Sequence, residues 1–223
     1  MKRLKLNERV LPDYTRGEEI MNMVTHIAGG GIGLIIAILC CFKAFLYGTG
    51  ASIIGCIIFA ISIVALYAMS SIYHGLKTNT SKKVMQILDH CTIYFLICGT
   101  YTAILLSAFL SAYPGICIGL LIFLWALAAL AITLTAIDLK KYNIFSMICY
   151  ICMGWSILPF IPQTMNVLTK PGFMILLSGG IAYTIGAVLY GIGSKKPWFH
   201  SIFHIFVVIG SALQALSILL YAI

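Results

Sequence analysis

The segment ASIIGCIIFAISIVALYAMSSIYHG, residues 51–75, contains no Asp, Glu, Lys or Arg and runs directly into a short polar, basic loop, GLKTNTSKK (75–83). About 20 predominantly apolar residues are enough to carry a helix across the hydrocarbon core of a bilayer. Six further segments read the same way, at roughly 20–45, 84–110, 115–137, 144–163, 172–192 and 198–222. The breaks between them carry helix-boundary chemistry. Pro114-Gly115 separates the third and fourth segments, and Pro159 and Pro162 are expected to close the fifth. Thr169 and Pro171 have the character of an N-cap and first turn for the sixth. Gly193-Ser194 ends that segment, and Pro197 is placed to open the seventh. The expected fold is an all-α integral membrane protein, a seven-transmembrane helix bundle (20–223) preceded by a cytoplasmic N-terminal segment (1–19).

Composition agrees. Of 223 residues, 61% are hydrophobic and 9% charged, against about 25% charged in soluble domains. The first nineteen residues are polar and basic and lack the short apolar core and small-residue cleavage site of a secretory signal. A formal charge of +8 in a soluble chain would suggest nucleic acid. In a membrane chain it first suggests basic cytoplasmic loops, and no nucleic-acid partner is expected. With the N-terminus inside, twelve basic residues face the cytoplasm (Lys2, Arg3, Lys5, Arg9, Arg16, Lys77, Lys82, Lys83, Lys140, Lys141, Lys195, Lys196) and two, Lys43 and Lys170, face outward. This asymmetry predicts an odd number of spans with the C-terminus extracytoplasmic. The cysteines lie mostly in apolar runs and read as packing residues, Cys149-x-x-Cys152 included.

Threading the chain through this topology gathers the polar residues. His26, His74, His90, His200 and His204 all fall toward the cytoplasmic leaflet, together with Asp89, Glu19 and Asn22. Ionisable residues inside spans mark function by default. His200 and His204 are four apart and share a helix face, so their imidazoles can chelate one metal. His74, one turn after Ser70, would supply a third ligand, leaving a fourth position for water, as zinc enzymes do. Asp89 is suited to hold and deprotonate that water, with Ser70 as a further hydrogen-bond partner. Glu19, Asn22 and His26 lie on one helical face and read either as an interfacial cap or as residues that orient the metal ligands. His90 points about 100° away from Asp89 and is left out of the ligand set. Each feature alone has a plainer reading: a packed histidine pair, a small serine, an aspartate paired with Lys82 or Lys83. Asp138, beside Lys140 and Lys141, reads as a solvated loop charge.

Taken together, Glu19-x-x-Asn22-x-x-Thr25-His26, Ser70-x-x-x-His74, Asp89 and His200-x-x-x-His204 resemble the hemolysin III family, the bacterial branch of the progestin and adipoQ receptors. The resemblance covers nearly the whole chain. It implies seven transmembrane helices with the N-terminus inside a bacterial plasma membrane. It also implies zinc bound by the residues matching His74, His200 and His204, with Asp89 reaching the metal through water and Ser70 assisting. The wider superfamily includes alkaline ceramidases, which implies a zinc-dependent hydrolase acting on a lipid amide or ester, with membrane lipids as partners and substrate source. A sensor or regulator in which zinc only staples the helices is the alternative. Transport and cytolysis fit less well, because the polar cluster lies at one face and does not form a path across the membrane.

Overall fold

A computed structural model describes residues 6–193 and 196–223; Lys2, Arg3, Lys5, Ser194 and Lys195 lie outside them. In hydrocarbon the backbone must satisfy its own hydrogen bonds, so apolar sequence of this kind folds as helix. The described residues contain no strand. Their helices are α1 (Arg16–Tyr47), α2 (Gly50–Gly75), α3 (Thr80–Ala112), α4 (Pro114–Ile137), α5 (Asn143–Gly154), α6 (Ile161–Gly193) and α7 (Phe199–Ala222). Among the described residues, six helical stretches are long and apolar enough to cross a membrane, α5 and α6 forming one such stretch over Asn143–Ile192. Their outward faces carry bare apolar side chains such as Phe42, Phe45 and Ile122. This is the surface expected of a multi-pass protein whose solvent is lipid.

The stretch Asn143–Ile192 does not run straight. Trp155 Nε1 donates to Thr184 Oγ1 at 3.0 Å, although 29 residues of uninterrupted helix would separate them by about 44 Å. Tyr150 donates to the His90 carbonyl near the start of α3, and Asn166 donates to Tyr113 just beyond its end. The chain then reverses and brings Tyr190 back beside His90, 3.3 Å between phenol oxygen and Nε2. The reversal falls at Thr169, whose φ of 61° and ψ of 167° are non-helical. A β-branched residue enters that region at a cost of about 1–3 kcal/mol. Pro159 and Pro162 do not end the segment as expected. Pro159 lies in a single 3-10 turn, Leu158–Phe160, and Pro162 in the first turn of α6, where a missing N–H costs nothing.

Two further expectations change. Asp138 is buried, not solvated: it caps the end of α4, and its Oδ1 accepts from the Lys141 amide at 3.1 Å. Cys149 is buried but Cys152 is exposed, and both are free.

α1 packs on α2 and α7, α2 on α3, and α6 on α7, so the first and last helices meet. Small residues set these approaches. A Cβ on Gly55 would stand 3.0 Å from the Thr102 carbonyl oxygen and 3.1 Å from Ala103 Cα, backbone that cannot swing aside. The N-terminus of α1 is closed by a reciprocal box: Thr15 accepts from the Glu18 amide, and Glu18 Oε2 accepts from the Thr15 amide. Glu18 Oε1 also accepts from the Trp198 amide at 2.7 Å, tying the entry of α7 to that of α1.

Gly55→Val should lower the thermal midpoint in detergent by about 5 °C through overpacking of α2 on α3, while Gly50→Ala, with nothing near its Cβ, should leave it unchanged. Glu18→Ala removes both the cap and the Trp198 acceptor. It should cost about 2 kcal/mol and speed hydrogen exchange of the Trp198 amide.

Candidate metal centre

His200 and His204 follow each other by one turn at the start of α7, and their Nε2 atoms lie 3.1 Å apart. His74, in the last turn of α2, places its ring 5.4 Å from that of His200 and 4.9 Å from that of His204. One nitrogen from each ring falls within 4.8 Å of the other two, and all three residues are buried. Tetrahedral Zn–N bonds of about 2.0–2.1 Å set neighbouring nitrogens about 3.3 Å apart, close to the His200–His204 separation.

The ring of His74 is oriented by its back side. Nδ1 lies 2.6 Å from Glu19 Oε2, and a carboxylate can only accept, so Nδ1 carries the proton. That leaves Nε2 as a lone pair, buried and without a hydrogen-bond partner in the protein. An orphaned imidazole nitrogen beside two others is what a metal ligand requires. The carboxylate behind it matches the usual support of a metal-bound histidine. The Asn22 amide packs 3.4 Å from the same Nδ1. His26 stacks on His204 with ring centres 3.8 Å apart and presents its edge to Tyr67. It backs the ligand ring and stays outside the group of three.

Ser70 and Asp89 face the same cavity as His200 and His204. Ser70 Oγ is buried and makes no hydrogen bond within the protein. The cavity, about 140 Å³, continues from Asp89 to Tyr101 along α3, about 18 Å of helix, with Ile93, Leu96 and Ile97 as part of its wall. His90 also lines it, but its Nδ1 is engaged by the Gln86 carbonyl at 2.8 Å and its Nε2 lies by Tyr190.

Tyr14, which precedes α1, stacks on His200 with ring centres 4.8 Å apart and planes 17° apart. Burial raises its phenol well above the ordinary value, which keeps it neutral. The sequence does not mark Tyr14 or Glu18 as site residues, and it offers Lys82 only as a cytoplasmic cation or a partner of Asp89. Thr15-x-x-Glu18 is a readable capping box, but nothing in the sequence tells that Glu18 also holds Trp198. Lys82 is not a loop cation paired with Asp89; its ammonium meets Glu19 at 2.6 Å.

The chain matches the Haemolysin-III related family over residues 14–215. It is similar to Hemolysin-3 of Bacillus cereus, 34% identical over 206 residues covering 92% of each chain. It is 35% identical over 215 residues to the Hemolysin-3 homolog of Bacillus subtilis (strain 168), covering 94% of this chain and 97% of that one. More distantly, it is 25% identical over 171 residues to the human Monocyte to macrophage differentiation factor, across 74% of this chain and 68% of the relative. A match along most of the sequence, with two bacillar relatives above 30% identity, makes this chain a multi-pass membrane protein of the Haemolysin-III related family.

Proposed function

We propose that the chain crosses the membrane seven times from a cytoplasmic N-terminus, binds zinc through His74, His200 and His204, and hydrolyses an amide or ester bond of a membrane lipid. The observation that carries the reading is the orphaned Nε2 of His74, facing two further buried imidazoles at the polar end of a largely apolar cavity. Seven passes are supported by the reversal at Thr169, which turns the Asn143–Ile192 stretch into two antiparallel legs. The orientation is supported by the excess of basic residues on the loops at the histidine end.

Zinc held by three neutral imidazoles supplies Lewis acidity and brings the pKa of an attacking water toward 7. The remaining steps belong to side chains of this protein. Asp89 accepts the proton of the attacking water and returns it to the leaving nitrogen or oxygen. Ser70, buried beside Asp89, orients the water or the scissile carbonyl. Glu19 holds His74 in the Nδ1–H tautomer, and Asn22 and His26 fill the space behind the ligands. The apolar wall along α3 receives the hydrocarbon chain and keeps bulk water from the bond. Tyr14 closes the side facing away from the bilayer.

Protein purified in detergent should contain about one zinc per chain by elemental analysis, and His200→Ala/His204→Ala should contain none. A folded wild type that takes up no zinc on addition would sink the metal reading. Against a panel of long-chain lipid amides and esters, Asp89→Ala should lower turnover at least about 100-fold without loss of zinc. Zinc present with no hydrolysis of any member would favour the regulator, with the metal as a staple between α2 and α7.

A further inference from the structure

Lys82 breaks two local rules at once. It is the third residue of α3, behind the N-cap Asn79, whose side chain accepts from its amide. There the aligned peptide dipoles disfavour a cation. It is also 4% exposed, and a buried ammonium is costly unless paired. Both penalties are answered by the same contacts. Nζ donates to Glu19 Oε1 at 2.6 Å and to the Leu76 carbonyl at 2.9 Å. The other oxygen of that carboxylate lies 2.6 Å from His74 Nδ1. Local rules are broken most often where a site demands it.

We infer that Lys82 is a positioning residue of the histidine site, acting through Glu19 to fix the orientation and tautomer of His74. The inference rests on the metal reading above. Glu19 has a flexible side chain that is 19% exposed, so one hydrogen bond to His74 leaves it free to turn toward water. The ammonium removes that freedom by fixing Oε1, which leaves Oε2 aimed at Nδ1. Lys82 is itself anchored on the Leu76 carbonyl, two residues past His74 at the end of α2. Its charge also cancels that of Glu19, so the ligand gains a strong acceptor without a net negative charge beside it. The result is a three-helix connection in which α3 sets the ligand of α2 by way of α1.

The test uses the full chain in detergent and two readouts. Zinc affinity by chelator competition should fall about 10–100-fold in Lys82→Met, with helical content unchanged, and Lys82→Arg should restore most of it. Nitrogen-15 spectra of histidine-labelled, metal-free protein, with His74 assigned from its Gln variant, should show a fixed Nδ1–H tautomer in the wild type and a tautomer mixture in Lys82→Met. Unchanged affinity together with an unchanged tautomer overturns the role of Lys82 and leaves the metal site standing. A wild type that binds no zinc overturns the metal reading instead, and the tautomer comparison then decides Lys82 alone. Should Lys82→Met not fold, Glu19→Gln/Lys82→Met, which leaves no unpaired buried charge, is compared with Glu19→Gln. Equal affinities and tautomers support action through Glu19, and a further loss in the double variant overturns it.

Discussion

A polar group below the headgroups has no water to turn to, and the arrangement of this protein follows from that constraint. The helices satisfy their own backbones, and most polar side chains bond back to a carbonyl one turn away, as Thr100 does to Leu96 and Ser211 to Val207. At the histidine end the same rule cannot be met by one helix alone. Glu19 on α1 serves His74 on α2 and Lys82 on α3, while Glu18, one residue earlier, serves the first amide before α7. The bundle is held together there by charges and hydrogen bonds, and elsewhere by close packing of small residues such as Gly55 and Gly179 and by neutral cross-helix hydrogen bonds such as Tyr67 to Ser211 and Trp155 to Thr184. Among the described residues, the buried histidines, His26, His74, His200 and His204, all lie there.

Much of this was legible in the sequence because two regularities are strong. Apolar length places the helices, and a spacing of four places His200 with His204 and Ser70 with His74 on single faces. What was not legible depended on tertiary partners. Hydropathy placed the start of the third span near residue 84, so Lys82 fell in a loop; the helix begins at Thr80 and Lys82 lies inside its first turn. Asp138 sat among lysines and looked solvated, yet it turns inward to cap a helix. Tyr14 lies outside any apolar segment, so nothing in the sequence places its ring against His200. The two prolines of the fifth segment looked like a stop because proline removes a donor. Placed in a 3-10 turn and a first helical turn, neither removes a bond that the fold needs.

The cavity and the site are continuous but built from different elements. The three histidines and the side chains packed behind them come from α1, α2 and α7, with Lys82 at the start of α3 behind Glu19, whereas the wall of the cavity draws heavily on α3, α5 and α6. The 3-10 turn between α5 and α6 and the reversal at Thr169 lie within the second group. His26, His200 and His204 line the polar end of the cavity.

That α1 and α7 meet has a consequence for how the protein is made. The candidate centre joins residues 14–26 to residues 198–204, so nearly the whole chain must leave the ribosome before the site exists. Glu19 and Asn22 meet His74 and Lys82 as soon as α2 and α3 exist, but until the last helix is made Glu18 lacks the Trp198 amide. Glu18 therefore waits through the synthesis of five intervening helices, and the three histidines can meet only after translation has essentially finished. A chain truncated anywhere before its last helix would be a membrane protein with an unfinished polar seam.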